Sequence, residues 1–574
     1  MHSAQDNTSP QYPLSTRPWI QNYHPGVERD IQLPETSLSH LMEHAVRSAP
    51  DRIALDFFGA TTTYGQLGDQ IRRVAEGLRQ AGVQAGDRVA IVLPNCPQHV
   101  VAFYAAFRLG AVVVEHNPLY TAAELRHMFE DHGAKVAIVW DKALANVLDL
   151  PFDVRPSTVV SVNLIEAMPL VMRTALKMPV KSMKESREKL EGRVASRGAI
   201  SWKSLLKNQP IDAGHHRPTA HDIAILQYTS GTTGKPKGVM LTHRNLESNA
   251  RMGKAWIQPK GNDIIYGVLP LFHAYGLTLG LTISVLIQAK LVLFPTVDID
   301  LILKAMKKNT PTILPAVPPV YRRLLDTAKE RGQLHLLKGV DYAVSGAMNL
   351  PPELVAEWEE QSGGYLVEGY GLTECGPLVS CNPLSTNRKA GSIGLPFPST
   401  DLRIVNPETL EDIELGEEGE LLVKGPQRFK GYWKLEEETH STLIDGGWLR
   451  TGDIVTMDEG GFLYVVDRIK EVIITGGFNV SPTEVETALK QHDSVSDAAV
   501  VGLANPRGGE DVVAAIIPTP GHALDEQALK DHMYSKVTRY KVPRRYIAVD
   551  DLPRTMLGKT QRRQVREMLQ EKSK

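Results

Sequence analysis

Residues 228–238 read YTSGTTGKPKG. Glycines, hydroxyl side chains and two lysines crowded into one stretch make a loop suited to wrapping a polyphosphate. Amides and hydroxyls would donate to phosphate oxygens while the ammonium groups offset their charge. Thr229, Ser230, Gly231, Thr232, Thr233, Gly234 and Lys235 are the expected contacts. A Walker loop sets four residues between its first glycine and Gly-Lys, then requires Ser or Thr for magnesium. Here only Thr232 and Thr233 separate Gly231 from Gly234, and Pro236 follows Lys235. That proline removes an amide and biases the residue before it away from helix. The loop is therefore of another kind, one that grips the β- and γ-phosphates of a nucleotide. Other chemistries find no footing, since the chain has no G-x-S-x-G nucleophile elbow, no H-E-x-x-H and no C-x-x-C pair.

Such a loop needs a scaffold, and the chain supplies the pattern of one. From Arg88 onward RVAIVLP, PQHVVAFYAAFRLG, AVVVEH, TAAELRHMFEDHG and KVAIVW alternate strand and helix. The rhythm returns in IIYGVLPLF, the helix-like GLTLGLTISVLIQ, KLVLF, DLILKAMKKN, TILPAV, YRRLLDTAKE and VDYAVSG. Short strands that are apolar on both faces, with helices between them, predict parallel sheets covered on both sides. Residues 400–466 are strand-rich, and VTM-DEGG-FLYVV predicts a hairpin. After Asp467 a compact tail follows. Its SPTEVETALKQH helix has Ser481 as N-cap, Pro482 in first position and Glu484 closing a capping box. The predicted fold is α/β. Residues 1–467 form a large domain of layered α/β subdomains plus a β-rich subdomain, and 468–574 a small, mobile α+β domain.

The bulk numbers bound the class. The chain has 574 residues, 42% hydrophobic and 23% charged, which fits a soluble protein of more than one domain. A net charge of −2 gives no basic field for nucleic acid. Cys96, Cys375 and Cys381 are too few for a disulfide framework. The polar start, MHSAQDNTSPQYPLSTRPW, lacks the apolar core of a signal peptide. Residues 276–289 form the longest apolar run, but Thr278, Thr282, Ser284 and Gln288 interrupt it and it is too short to span a bilayer. The reading is a cytoplasmic enzyme.

The full string YTSGTTGKPKG resembles the phosphate-loop signature of the adenylate-forming superfamily of acyl-CoA synthetases, luciferases and peptide-synthetase adenylation domains. Four more of its motifs follow in order: LPLFHAYG (269–276), EGYGLTE (368–374), GWLRTGD (447–453) and PRTMLGK (553–559). Overall the chain most resembles bacterial long-chain fatty acid–CoA ligases. The resemblance implies a carboxylate attacking the α-phosphate of ATP to give an acyl adenylate and pyrophosphate, after which coenzyme A displaces AMP. ATP, Mg2+ and coenzyme A are the implied cofactors and co-substrates, and both steps rest on positioning and charge stabilisation.

Carried over residue by residue, the resemblance puts Tyr370 against the adenine, Gly371 among the nucleotide contacts, Thr373 near the phosphates and Glu374 on magnesium. A carboxylate suits a hard cation already held by phosphate oxygens. Asp453 and Arg468 would hold the ribose. Lys559 would meet the α-phosphate and acyl oxygen, a task for a compact ammonium on a flexible stem. Lys470 falls at the hinge on which the small domain would swing, and Gly476 and Gly477 would line the pantetheine path. His273 and Tyr275 would wall the acyl site, with Gly346 and Ala347 leaving room for a deep tunnel.

The acid itself is less legible. Residues 164–207 mix Met, Leu and Val with Arg173, Lys177, Lys181, Lys184, Arg187 and Lys189. A basic, apolar segment of this kind suits either an interfacial element drawing lipid from a membrane surface or a plain surface helix. Fatty acid is the first substrate expectation, with aryl or medium-chain acid second. A carrier protein in place of coenzyme A, and a non-enzymatic lipid-binding protein, are the remaining alternatives. Peripheral attachment to the inner face of the membrane and a homodimer stay open.

Overall fold

The structure is a computed structural model that describes residues 14–192, 198–229, 236–469, 471–475, 478–505, 510–537, 539–555 and 558–572. Internal packing divides the chain into two units. One comprises 22–400 with 424–449, the other 401–423 and 450–574 with the residues up to Gln21.

The first unit is built on two large sheets. Among the described residues an eight-stranded sheet runs in the order Gly431–Tyr432, Lys237–Thr242, Ile223–Thr229, Val112–Glu115, Arg88–Val92, Val136–Trp140, Thr158–Val162, Ile200–Ser201. Its centre is parallel, and the Val/Ile-rich strands are buried on both faces as the sequence pattern requires. At Ile223–Thr229 the direction changes, because the next strand, Lys237–Thr242, is antiparallel to it. Thr229 pairs with Lys237, so the stretch expected to wrap phosphate joins two hydrogen-bonded neighbours. A nine-stranded sheet holds Tyr342–Ser345 parallel to Tyr365–Gly371, with Ser345 beside Glu368. The residues just past these two strands, Gly346–Ala347 and Leu372–Glu374, thus leave the carboxyl ends of parallel strands, where open α/β sheets bind ligands.

Two local expectations change. GLTLGLTISVLIQ is helical, but residues Leu277–Ile283 adopt a widened π-helical turn. Glycines allow the close packing there: a Cβ on Gly276 would lie 2.1 Å from the Pro270 carbonyl oxygen, and one on Gly280 2.5 Å from Leu271. In the tail, Ser481 does accept the Glu484 amide, but no reciprocal bond closes the capping box. The Glu484 carboxylate turns instead to Lys541, 2.7 Å away.

Trp448–Met457, which enters the second unit at Arg450, and Leu463–Arg468 form the expected hairpin. Asp458 tightens its turn by accepting the amides of Gly460 (2.9 Å) and Phe462 (3.0 Å). The strands Val495–Ala504, Glu510–Pro518 and Arg545–Ala548 make a separate sheet. Helices Pro482–Leu489 and Glu526–Lys536 bury Val485, Leu489, Leu529 and Met533 on one face, and Arg562–Lys572 buries Val565 and Leu569 on the other. Asp467 stitches the hairpin to this sheet's first helix, accepting from Ser481 Oγ and, at 2.7 Å, from the Arg468 amide.

Within 164–207, Leu170–Ala175 and Lys181–Leu190 are short helices without a buried residue, whereas Leu164–Ala167 and Trp202–Leu206 near its ends bury Leu164, Ile165, Trp202 and Leu205. Leu170 is 72% exposed, Val171 79%, Met178 50% and Val180 50%.

Candidate active site

The structure gathers the sequence-derived site residues into groups, each within one packed unit. In the first unit the EGYGLTE motif ends the strand Tyr365–Gly371 and enters a tight turn, Thr373–Cys375. Gly371 is obligatory there, since a Cβ would lie 2.0 Å from the Pro377 carbonyl oxygen. Tyr370, just before it, and Thr373, just after, are both partly exposed. The Phe429 amide donates to the Glu374 carbonyl at 2.8 Å, fixing its backbone. The Glu374 carboxylate accepts the Tyr432 hydroxyl at 2.7 Å through Oε1. The Lys237 ammonium lies 5.2 Å from the Tyr432 ring centre and 4.0 Å from Glu438. Glu374, Tyr432 and Lys237 therefore form one polar cluster at the foot of the phosphate-loop hairpin. Among the described residues no group of three or more His, Cys, Asp or Glu could cage a metal. A lone carboxylate fits magnesium that takes most of its ligands from nucleotide phosphates and water.

On the strand Ile223–Thr229, Tyr228 donates to Asp131 at 2.6 Å and stacks on His116, with ring centres 6.2 Å apart. Thr229 is the last described residue before the loop. Ser230, Gly231, Thr232, Thr233, Gly234 and Lys235 lie outside the described residues, as do Lys470, Gly476 and Gly477.

LPLFHAYG places His273 and Tyr275 side by side. Burial pushes the His273 pKa down to about 4, so the ring is neutral near pH 7. Its Nδ1 accepts the Tyr275 amide at 3.3 Å, which leaves the proton on Nε2, a donor able to meet a carboxylate oxygen. Tyr275 donates to the Val344 carbonyl at 2.6 Å. A Cβ on Gly346 would sit 3.2 Å from the Tyr275 ring, so residues from the two motifs expected to line the acyl site do meet. Ala347 follows with φ 65°, in the left-handed region. Glu368, which opens EGYGLTE, is 7% exposed; burial pushes its pKa up to about 8, and it accepts the Leu350 amide at 3.1 Å.

In the second unit, the hairpin sets Asp453 opposite Arg468, and their side chains pair at 2.9 Å. The PRTMLGK loop folds back on itself: the Thr555 amide donates to the Lys559 carbonyl at 2.7 Å and the Lys559 amide to Thr555 Oγ1 at 3.1 Å. Burial pushes the Lys559 pKa down to about 8, with the Arg468 guanidinium adding to the shift and Glu471 and Asp453 opposing it. Arg562 is taken up by Glu486, at 2.8 Å, and by Glu471. Three residues read from separate motifs, Asp453, Arg468 and Lys559, thus share one electrostatic neighbourhood.

This geometry meets its counterpart among known proteins. The profile of the family described as AMP-binding enzyme matches residues 42–433, and that of its C-terminal domain matches 484–559. The chain belongs to the AMP-binding enzyme family. A long-chain-fatty-acid–CoA ligase of Bacillus subtilis (strain 168) is 36% identical over 560 residues, covering 96% of this chain and 98% of the relative. The solved structure of ATP-bound MatB from Rhodopseudomonas palustris is similar with TM-score 0.80 and 28% identity, covering 93% of this chain and 100% of its own. That of the anthranilate CoA ligase AuaEII with anthranoyl-AMP gives 0.78 and 25%, covering 94% and 98%.

Sequence reasoning missed Tyr432 and Lys237. For Lys237 the signal lay in the opening string itself. Tyr432 sits in RFKGYW, where nothing marks it for chemistry.

Proposed function

We propose that this AMP-binding family member is an ATP-dependent ligase that activates a long-chain fatty acid as acyl-AMP and transfers it to coenzyme A. The observation that carries the reading is the Asp453–Arg468 pair with Lys559 beside it, in a chain aligned almost end to end with a long-chain-fatty-acid–CoA ligase. A carboxylate oxygen bonds to the α-phosphorus as the bond to the bridging oxygen breaks and pyrophosphate leaves. The thiolate sulfur of coenzyme A then bonds to the acyl carbon and AMP departs.

Lys559 offsets charge on the α-phosphate and acyl oxygen in the first step. Asp453 and Arg468 hold the ribose, Tyr370 stacks on the adenine, and Gly371 lies among the nucleotide contacts. Thr373 and the hydroxyl-rich loop bind phosphates. Glu374, held by Tyr432, ligates magnesium, which supplies charge neutralisation of the polyphosphate. His273 donates through Nε2 to the acid, and Tyr275, Gly346 and Ala347 wall its chain. The pivot is residue 470, with the domain border at 467/468 and Gly476 and Gly477 on the thiol's path.

The exposed Leu170, Val171, Met178 and Val180, beside Lys177, Lys181 and Lys184, support peripheral docking on an anionic membrane from the cytoplasmic side. No helix among the described residues is long and apolar enough to cross a membrane. A second reading, an aryl acid–CoA ligase, is favoured by the likeness to the anthranilate enzyme and by the flat Tyr275 ring against Gly346. Short, medium and long fatty acids and aryl acids, each supplied with ATP, magnesium and coenzyme A, separate the two. Equal yields of AMP and thioester, highest for long chains, are expected. AMP without thioester would point to a carrier-protein acceptor, and no AMP with any acid would refute the ligase.

A further inference from the structure

Helix Lys181–Leu190 buries none of its residues, so little apolar packing holds it in place. Polar contacts at its carboxyl end do, and they come from consecutive residues where the strand Val136–Trp140 ends. Trp140 Nε1 donates to the Leu190 carbonyl at 3.1 Å. Lys142 Nζ donates to the carbonyls of Glu188 (3.0 Å) and Lys189 (3.4 Å), groups for which a helix has no donors of its own. Between these two residues, Asp141 accepts the Gly192 amide at 2.9 Å through Oδ1. The chain passes so close there that a Cβ on Gly192 would lie 2.5 Å from the Asp141 carbonyl oxygen.

Asp141 is the one of the three contacts whose charge can change near neutral pH. It is 7% exposed, and its backbone is fixed, the amide donating to the Val162 carbonyl at 2.9 Å. Glu191 and Glu166 lie close enough for their charges to act on it. Both have partners elsewhere. Glu191 accepts from Asn163 Nδ2 at 2.8 Å with Arg187 3.8 Å away, and Glu166 pairs with Lys203 at 2.8 Å. The Lys142 ammonium is turned to the helix carbonyls, and no cation among the described residues pairs with Asp141. Burial pushes its pKa up to about 6, the Gly192 and Lys142 amides opposing the shift and the two glutamates adding to it. A protonated carboxyl still accepts the Gly192 amide through its carbonyl oxygen and repels neither glutamate. An ionised one leaves an unpaired charge out of water. Released into water, the same group would titrate at about 4. The contact is therefore firmest in acid, and weakens as pH rises from there through about 6.

We propose that Asp141 is a proton-operated latch on this helix: protonated, it keeps the segment from Leu170 to Gly192 ordered and strengthens attachment to an anionic membrane, and ionised, it lets the segment loosen. This rests on the membrane-docking reading above. A segment ordered beforehand binds at less entropic cost. An anionic surface also concentrates protons, about threefold, so docking and closure reinforce each other. The test is co-sedimentation of the full chain with phosphatidylglycerol–phosphatidylcholine vesicles from about pH 7 to about pH 5. Hydrogen exchange of residues 181–192, corrected for intrinsic rate, is read on the same samples. Wild type and Asp141→Asn are compared, both first shown to turn over short, soluble acids equally. Wild type should bind vesicles about tenfold more tightly at the acid end, with exchange in 181–192 slowing in step. D141N, neutral at every pH and still able to accept the Gly192 amide, should bind and protect at the tight level throughout, changing less than about twofold. A D141N as pH-dependent as wild type overturns the inference, and so does wild-type exchange that ignores pH. A wild type that binds no vesicles at any pH refutes the docking reading and the membrane role with it, while exchange that slows with acid in wild type alone still upholds the latch.

Discussion

Lys559 and the cations of residues 173–184 are the same chemistry under opposite conditions. Lys559 is drawn out of water, with Arg468 and Asp453 close enough for their charges to act on it. Lys177, Lys181 and Lys184 stand exposed on and between helices that bury nothing, next to exposed Leu170, Val171, Met178 and Val180. A desolvated ammonium loses its proton more easily and has a fixed address, which suits it to one developing charge. Hydrated ammonium groups beside apolar side chains suit a broad anionic, greasy surface.

Substitutions can break this contrast. Lys559→Ala should lower adenylate formation about a thousandfold, read as ATP–pyrophosphate exchange, while ATP binding is largely kept. Asp453→Ala should raise the ATP requirement about thirtyfold by removing a charge-assisted partner of the ribose, seen in initial rates against ATP concentration. The pH profile sharpens the comparison. With the Lys559 pKa near 8, the ammonium is present below that pH and lost above it. Adenylation should therefore fall about tenfold from about pH 7 to about pH 9. Lys559→Arg, which keeps its charge, should flatten that fall at a lower rate. Lys177→Gln should weaken binding to anionic liposomes about fivefold in co-sedimentation and leave turnover of short, soluble acids unchanged.

What the sequence revealed depended on how far apart the partners lie. The hairpin that sets Asp453 opposite Arg468 was legible because its turn residues announce themselves, while the resemblance alone singled out the two side chains. Glu484 shows the opposite case. Its local pattern predicts a capping box, yet Lys541, 57 residues on, takes the carboxylate. The π-helical turn at Leu277–Ile283 stayed hidden because a run buried all round carries no phase from which to read its pitch. Tyr432 reaches Glu374 only because a two-residue strand adds to the edge of the sheet beside Lys237–Thr242, a pairing with no signature in either segment.

The turn Asp458–Gly461 also works as a ruler. Side chains alternate along a strand, so one extra residue in that turn, carried through the register, would swing Arg468 to the far face while Asp453 stayed put. Two extra residues would keep both on the same side. Length changes there should be tolerated by parity, and a turn five residues from Asp453 would decide whether that carboxylate keeps its guanidinium partner.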